Sequence, residues 1–469
     1  MGKTEQQLEL NLNGDRRFAD KLKNASFFMV MELHPSNRME NAELDELFKF
    51  ILDDSRVFAT AVTDRWNDTP VEYSIELAER AKALTGKPVL SLLSGKDRSF
   101  EDIGKYLANY RRLGIRDFLA VTGNYLEDER AGVRNDYPGK YTDAVDIVRL
   151  GLQSGDSCMG CAVNPFRYIP EELFGQYTKL IRKINNGASF VVAQGGWDMK
   201  KYQEVLWFLR SRELFVPMVA RLFVLEKPEE RLSSNQLFPG VQLPLSLMSQ
   251  LEQEQELDSE TFFTAQAKRA AFMAAGCQLM GYSGIQVAGL HGVRELETFL
   301  DLFDGMQTLY PTYKAWAKAW QERYSAMNFV PYAPIFSSQV PFYLYNALLD
   351  PRYSQFDTGY AVPSEIKIAL PSLTDRVQSS LVDPDTPEWI KKTVTHWTGK
   401  EKMNPDALTH CLGLENSSCP KRLTQGPCGG AKADGICEAS GEPCFFQRIT
   451  RLAVWSRQLE YLEDSNQEQ

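Results

Sequence analysis

The sequence predicts an α/β fold: a (βα)8 TIM barrel with a C-terminal extension and a small cysteine-rich metal-binding module. Three observations predict it. Short apolar runs alternate with longer amphipathic patterns over roughly the first three hundred residues, and eight such repeats favour a closed barrel over an open sheet. No Gly-x-Gly-x-x-Gly segment follows the first strand, so the fingerprint of an open dinucleotide-binding sheet is missing. Five of the eight cysteines lie between residues 411 and 444.

The predicted strands are continuous apolar runs, as expected for parallel strands that helices cover. They span residues 27–34, 57–63, 88–93, 118–122, 158–163, 190–194, 214–219 and 279–287. The helices between them carry apolar residues at three- and four-residue spacing. They span residues 41–52, 71–84, 101–113, 143–152, 171–185 and 200–210. Residues 225–260 interrupt this alternation, which predicts a surface excursion or, alternatively, a lid over the barrel mouth.

We expect four parts in the chain of 469 residues. They are an N-terminal extension (1–24), the barrel (25–300), an aromatic-rich helical extension and connector (301–405), and a cysteine-rich C-terminal domain (406–469). Aromatic residues at helical spacing in the third part are more typical of packing against the barrel than of an aromatic wall for a planar ligand. Cys158 and Cys161 fall in a predicted strand, where side chains three apart face opposite ways, so we expect core cysteines.

Charge and composition exclude several classes of protein. The formal net charge of −10 argues against a surface for nucleic acid or for an anionic membrane. No apolar run is long enough to span a bilayer, and the polar N-terminus lacks the apolar core of a secretion signal. The sequence therefore predicts a cytoplasmic protein without a nucleic-acid or membrane partner.

Polar side chains at the carboxyl ends of the strands should face the active site of such a barrel. Glu32 ends the first strand within an apolar run, and a buried carboxyl group there suits a general acid whose pKa is raised. The alternative is a Glu paired with an Arg or Lys elsewhere in the chain. The other candidates are Thr63, Gly123, Asn124, Asn164 and Gln194 at strand ends, and Lys183 in the helix before strand six.

These segments resemble the methylenetetrahydrofolate reductases in order and in spacing, over roughly residues 25–295. The resemblance is carried by Glu32, by Thr122-Gly-Asn, by Val163-Asn-Pro, and by the stretch from Lys183 to Gln194 with the Asp198 that follows. In that family the barrel binds FAD, which a nicotinamide or another donor reduces. The flavin then passes hydride to 5,10-methylenetetrahydrofolate and gives 5-methyltetrahydrofolate.

The resemblance implies a role for each candidate. Glu32 is expected to be the catalytic acid that helps open the five-membered ring, and Gln194 is expected to bind the pterin through its paired donor and acceptor. Asn124 is expected to contact both the folate and the flavin. The expected FAD contacts are Thr63, Gly123, Asn124, Asn164 and Lys183.

Three positions differ from the family pattern. Leu92 stands where the family has a His that contacts the flavin, and Thr122 stands where it has an Arg. Asn124 replaces an Asp, which removes a negative charge beside the flavin. This replacement should make the flavin easier to reduce and weaken the binding of the pterin.

The cysteine-rich segment is typical of a metal site. Glycines at 426, 429, 430 and 435 let the backbone wrap tightly, and several thiolates suit zinc or an iron–sulfur cluster. The segment resembles the C-terminal domain of methylenetetrahydrofolate reductase-like proteins, including the partner subunit of anaerobic reductases. We expect Cys419, Cys428, Cys437 and Cys444 to bind zinc or a [4Fe-4S] cluster, with Cys411 left over. A thiol-rich loop without metal is the alternative.

Three functions stay open at this point. The first is flavin-dependent reduction of methylenetetrahydrofolate, with a nicotinamide or a protein as the electron donor. The second is a tetrahydrofolate-dependent methyltransferase or demethylase, which the three departures around the flavin favour. The third is an electron-transfer subunit of a reductase complex. A folate substrate is expected in each of the first two, and either a homo-oligomer or a reductase complex fits the sequence.

Overall fold

The structure is a computed structural model. It describes residues 17–24, 27–35, 41–64, 71–123, 141–155, 157–227, 236–238, 240–330, 340–353, 362–379, 386–398, 419–432 and 435–463. Two positions named by the sequence analysis, Asn124 and Cys411, lie outside these ranges. Within the described ranges, no helix is both long and apolar enough to cross a membrane.

Eight parallel strands close into a barrel, which confirms the predicted fold class. The eight barrel strands follow one another around the barrel in chain order, and the last of them pairs with the first. The barrel strands are β1 Phe28–Leu33, β2 Val57–Val62, β3 Val89–Ser94, β4 Asp117–Val121, β5 Cys158–Val163, β6 Phe190–Ala193, β7 Met218–Phe223 and β10 Gly284–Ala288. A short antiparallel hairpin, β8 Gln236–Phe238 and β9 Val241–Gln242, lies between β7 and β10 in the chain.

Helices cover the outside of the barrel and continue beyond it. They are α1 Arg17–Lys23, α2 Asn41–Asp53, α3 Val71–Thr85, α4 Phe100–Arg112, α5 Ala144–Gln153, α6 Pro170–Asn185, α7 Met199–Ser211, α8 Leu245–Glu254, α9 Ser259–Met280, α10 Val293–Leu309, α11 Tyr313–Tyr324, α12 Leu373–Ser379, α13 Glu388–Thr398 and α14 Phe445–Trp455. Local sequence explains the start of α4, where Ser99 and Asp102 form a reciprocal capping box.

Apolar side chains fill the barrel below its mouth. Phe18 of α1 is fully buried, and its ring lies 5.8 Å from that of Phe28 and 5.2 Å from that of Phe190. The N-terminal end of the barrel is therefore closed by α1, which we had expected to belong to an extension. The polar candidate residues lie at the opposite end of the barrel, where the strands end.

Two strands differ from the sequence-based boundaries. The seventh strand was expected at 214–219 but spans Met218–Phe223, so it ends on the charged residue Arg221 and two apolar residues. The eighth was expected from residue 279, but α9 runs to Met280 and ends at Gly281, whose φ of 95° suits glycine. The first part of each apolar run lies before the strand: residues 214–217 are in a loop, and residues 279–280 are in α9.

The segments after β7 pack onto the barrel. Val241, Leu243, Leu247 and Leu251 are buried, so the excursion between β7 and α9 is part of the packed body. In the aromatic extension, Trp316 is buried and its indole N–H donates to the Phe272 carbonyl of α9 at 2.9 Å. The packing interpretation of these aromatics is the one that the structure supports.

Candidate active site

Glu32 lies at the end of β1 and is 1% exposed. Arg221 of β7 holds it with a fork of two hydrogen bonds: Nε donates to Oε2 at 2.6 Å, and Nη2 donates to Oε1. The amide nitrogen of Gln286, on β10, donates to Oε2 at 2.6 Å. A buried carboxylate is thus satisfied by one cation and one amide, as the burial of a charge requires.

These partners determine the protonation of Glu32. Burial alone raises the pKa of this carboxyl group, but the charge of Arg221, the nearby His34, and the hydrogen bonds from Arg221 and Gln286 together lower it below its usual value. The expectation of a raised pKa is therefore wrong for this arrangement. The alternative, a Glu paired with an Arg elsewhere in the chain, is the one found.

Arg221 also reaches the second residue predicted to meet the folate. Its Nη1 donates to the Gln194 side-chain oxygen at 2.8 Å, and the backbone N–H of Gly195 donates to the same oxygen at 3.2 Å. The guanidinium lies 4.9 Å from the centre of the Phe223 ring. One side chain therefore links the ends of β1 and β6.

His34 and Thr63 lie beside this pair. The His34 Nδ1 is 3.2 Å from the Thr63 hydroxyl oxygen, and its Nε2 is 3.5 Å from Oε1 of Glu32. Burial lowers the pKa of His34 to about 4, against the opposing effect of Glu32. The imidazole is therefore neutral at neutral pH. We refer to Glu32, His34, Gln194, Arg221 and Gln286 as the Glu32 network.

The Glu32 network occupies one side of the barrel mouth, on the adjacent strands β1, β10, β7 and β6. Sequence analysis missed Arg221 and Gln286. Each is the one polar residue in an otherwise apolar strand, which is the signal that could have identified it. Arg221 was missed because the predicted strand ended two residues before it.

The other side of the mouth, at the ends of β4 and β5, contacts the C-terminal module, by which we mean residues 419–432 and 435–463. The carbonyl of Gly123 accepts a hydrogen bond from Lys421 Nζ at 2.8 Å. The side-chain amide of Asn164 donates to the carbonyls of Gly240 and Gly429, at 2.9 and 3.2 Å. Two expected FAD contacts are therefore engaged by protein groups.

Lys183, a third expected FAD contact, lies on α6 near its C-terminal end. Its ammonium donates to the Ala162 carbonyl of β5 at 2.6 Å, between the helix and the strand. Burial lowers its pKa to about 8. This lysine thus stabilises the contact between α6 and the barrel wall in the arrangement seen here.

Three cations of the barrel bind residues 425–432 of the C-terminal module. Arg167 is 1% exposed and donates to the carbonyls of Gly429, Ala431 and Lys432, the last at 3.1 Å. On α6, Lys179 Nζ donates to the Gly426 carbonyl at 3.1 Å and Arg182 to the side chain of Gln425 at 2.6 Å. Backbone carbonyls of a glycine-rich loop are accessible to such donors because no Cβ shields them.

Three cysteines of the module share one small region. Cys419, Cys428 and Cys444 pack around the apolar cluster of α14, and burial raises the pKa of each thiol. The Cys428 sulfur accepts a hydrogen bond from the Gly430 N–H at 3.3 Å. Among the described side chains, no three His, Cys, Asp or Glu are arranged to hold a metal ion. A preformed metal centre is thus not found there, and the metal stays a prediction.

A flavin does not fit the predicted contacts as they are arranged. The Gly123 carbonyl and the Asn164 amide bind the module or the loop at Gly240, and the Lys183 ammonium binds Ala162. Thr63 lies in the mouth, beside His34. We therefore assign no step to a flavin at this edge.

Two family models match the chain. One described as methylenetetrahydrofolate reductase matches residues 17–294, and one described as the methylene-tetrahydrofolate reductase C terminal matches residues 408–469. A search of curated proteins found no match.

Solved structures of two proteins are similar to this chain. One is an uncharacterized protein from Clostridium thermocellum that binds two copies of 5-methyl-5,6,7,8-tetrahydrofolic acid. Its sequence is 13% identical to this one, the TM-score is 0.45, and the match covers 63% of this chain and 100% of that chain. The other is a putative lyase/mutase from Burkholderia cenocepacia. Its sequence is 12% identical, the TM-score is 0.35, and the match covers 71% of this chain and 100% of that chain. The reductase family model spans more than half of the chain, so the chain belongs to the methylenetetrahydrofolate reductase family, whose members are oxidoreductases that act on folate.

Proposed function

We propose that the chain binds a reduced folate in the barrel mouth and reduces its one-carbon unit, from 5,10-methylenetetrahydrofolate to 5-methyltetrahydrofolate. The observation that carries the proposal is the position of Arg221, which links Glu32 and Gln194, the two residues expected to meet the folate. Family membership supplies the substrate class. A cytoplasmic location belongs to the same proposal, and a reduced nicotinamide supplies the hydride that the one-carbon unit receives.

The Glu32 network offers what a pterin edge requires. A side-chain amide presents a donor and an acceptor together, and the mouth contains two of them, Gln194 and Gln286. The Gln286 oxygen is buried, and no described residue hydrogen-bonds to it. An unsatisfied buried acceptor costs about 1–3 kcal/mol, so a pterin N–H donor would gain binding energy there. Asn124, outside the described residues, stays a predicted folate contact.

The reduction needs a proton at the folate nitrogen that leaves when the five-membered ring opens. Glu32 is ionised while Arg221 holds it. Burial is the largest single influence on this carboxyl group and raises its pKa. A bound folate that draws the Arg221 guanidinium to its own oxygen would weaken the pair, so burial would prevail. Glu32 would then take up a proton from water and pass it to the folate nitrogen that leaves. In this proposal substrate binding itself prepares the acid.

A second candidate is methyl transfer to or from tetrahydrofolate, without hydride chemistry. It is favoured by the engagement of Gly123 and Asn164 with protein groups, because those positions were expected to contact FAD. Methyl transfer also does not need the ring-opening acid, which agrees with an ionised Glu32. The C-terminal cysteines would serve either candidate as a zinc or [4Fe-4S] site, provided that their side chains turn toward a common centre.

The test is an assay of the purified full chain with 5,10-methylenetetrahydrofolate and reduced nicotinamide, with and without added FAD. Glu32→Gln should lower the rate about 10²-fold or more, the usual contribution of a positioned acid. Glu260→Gln is the matched control, since this Glu is exposed and bound to Arg294 on the surface. Unchanged turnover in Glu32→Gln would refute the acid. Formation of 5-methyltetrahydrofolate only with a methyl donor would select the second candidate.

A further inference from the structure

We infer that the C-terminal module forms the wall of the barrel mouth at β4 and β5 and excludes a flavin from that edge. The inference deepens the proposed function and rests on it in one respect, namely that the mouth is the site of folate chemistry. It also reassigns Gly123 and Asn164, from cofactor contacts to docking contacts for a distant part of the same chain.

The first line of argument is the lysine at the end of β4. Lys421 and Glu438 form a salt bridge at 2.5 Å, with side chains that are 3% and 1% exposed. The same ammonium donates to the Gly123 carbonyl at 2.8 Å. A Cβ on Gly123 would fall 2.4 Å from the Ser94 hydroxyl oxygen, so the backbone here is enclosed from the side of β3 as well. Gly123 is therefore in close contact with β3 through its Cα and with the module through its carbonyl.

The second line is the packing around Asn164 at the end of β5. Its amide group is shared between the Gly240 and Gly429 carbonyls. A Cβ on Gly240 would lie 2.9 Å from the Gly429 oxygen, which is closer than real Cβ atoms approach. Where even a methyl group does not fit, a flavin ring cannot be inserted without separating the two segments.

The third line is the chemistry of the contact. Arg167 is buried and donates to three module carbonyls, and Lys179 binds both Gly426 and Asp143. Separating the module would take from the buried Arg167 the three carbonyls that it binds, which is unfavourable in a poorly solvated place. A flavin at this edge would have to displace Gly429, whose carbonyl both Asn164 and Arg167 bind. The docked module is thus the better occupant of this edge.

The first experiment adds FAD alone to the purified full chain. We expect no flavin after gel filtration, measured by visible absorbance, and no change in amide hydrogen exchange over residues 121–123 and 164–167. One FAD retained per chain, with protection of those two segments, would overturn the inference. Binding of 5-methyltetrahydrofolate, measured on the same sample, reports on the proposed function separately.

The second experiment opens the edge. The double variant Lys421→Met/Glu438→Gln removes the salt bridge without leaving a lone charge, and Lys105→Met/Glu101→Gln removes an exposed pair on α4 as the matched control. We expect faster exchange over residues 419–444 and an FAD affinity at least tenfold higher in the first variant alone. Faster exchange without any gain in FAD affinity would show that the module is not what excludes the flavin.

Folding of the variant is checked by its thermal transition. If Lys421→Met/Glu438→Gln does not fold, Arg167→Met takes its place, because it removes the fork to the module and keeps the salt bridge. The wild-type exchange experiment stands independently of both variants, and FAD-induced protection there is sufficient to overturn the inference.

Discussion

Arg221 and Glu32 form a fork-to-fork ion pair in the barrel mouth, joining the end of β7 to the end of β1 with β10 between them. The pair is buried on the carboxylate side and 13% exposed on the guanidinium side. It lowers the pKa of Glu32, and it leaves Nη1 of Arg221 to hold Gln194.

Removing the cation should destabilise the protein more than removing the pair. Arg221→Met leaves a buried carboxylate alone, which costs about 3–5 kcal/mol, whereas Arg221→Met/Glu32→Gln should lose clearly less. In wild type the folded pKa of Glu32 is lowered, so its contribution is present above the usual glutamate pKa and is lost as the pH falls through the lowered value.

In Arg221→Met burial raises that pKa instead, so the deficit should shrink as the pH falls from 7 toward 5. Urea unfolding at pH 7 and pH 5 measures the effect in wild type, Arg221→Met, Glu32→Gln and the double variant, which together form a double-mutant cycle. Equal losses in the single and double variants would contradict a paired Glu32.

The neutral His34 predicts a dependence of stability on pH. Its folded pKa is lowered to about 4, while an unfolded histidine titrates near 6.5. Between these values the unfolded chain binds the extra proton, so stability should be complete above pH 6.5 and fall by about 3 kcal/mol as the pH drops to 4.

His34→Gln should remove that part of the slope in chemical unfolding between pH 6.5 and 4. Glu32, Arg221, Glu226 and His291 surround the ring, so the comparison is made against wild type at each pH. His396→Gln, an exposed histidine on α13, is the matched control. The same slope in wild type and His34→Gln would mean that the ring is accessible to protons in the folded state.

Gln194 should matter for folate binding. Gln194→Leu removes the amide expected at the pterin edge, and we expect the Kd for 5-methyltetrahydrofolate to rise about 10- to 100-fold, which corresponds to one or two hydrogen bonds. Gln278→Leu is the control, because this glutamine bonds to Gln307 on the outer helices. Titration calorimetry measures both. An unchanged Kd in Gln194→Leu would place the pterin elsewhere.

Arg167 should control the docking of the C-terminal module. Arg167→Met loses donors to three backbone carbonyls, so amide exchange over residues 426–432 should be about ten times faster or more. Arg149→Met is the matched control, since this half-exposed arginine bonds to Asn186 on the barrel surface. Exchange that is equally slow in both variants would show that apolar packing alone holds the module.

Metal analysis tests the four thiols of the module. The sequence predicts one zinc ion or one [4Fe-4S] cluster per chain, and Cys428→Ser should lower the content well below that of wild type. Cys158→Ser, in β5, is the control. Metal analysis and an absorption spectrum of anaerobically purified protein distinguish zinc from a [4Fe-4S] cluster. Wild-type protein that contains neither would support the alternative, a thiol-rich loop without metal.

The sequence was sufficient for the barrel because eight apolar strands at regular spacing leave few other folds. It was also sufficient to place Glu32 and Gln194 at the mouth, because polar residues at strand ends face it, while their roles toward a folate stay predictions. Arg221 could not be predicted from the sequence, because the apolar run placed the seventh strand at 214–219 and the strand spans Met218–Phe223. The protonation of Glu32 could not be predicted either, because a pKa depends on a partner 189 positions away.

The contacts of the C-terminal module with Gly123 and Asn164 could not be predicted from the sequence, for a related reason. Gly123 and Asn164 occupy strand ends, where the rule for a barrel predicts ligand contacts. That rule does not say whether the ligand is a small molecule or another part of the chain. Arg167, which binds the backbone of the C-terminal module, lies in a loop, and no periodic pattern in the sequence predicts that contact.

The contact between Asn164 and Gly429 joins residues that are 265 positions apart. A ribosome adding about 5–20 residues per second needs roughly 10–50 s to make the intervening chain. During that interval the strands of β4 and β5 already exist, while the loop that will cover them does not. The newborn protein therefore passes through a stage in which one side of its mouth is open to the cell, and translation of the last segment closes it.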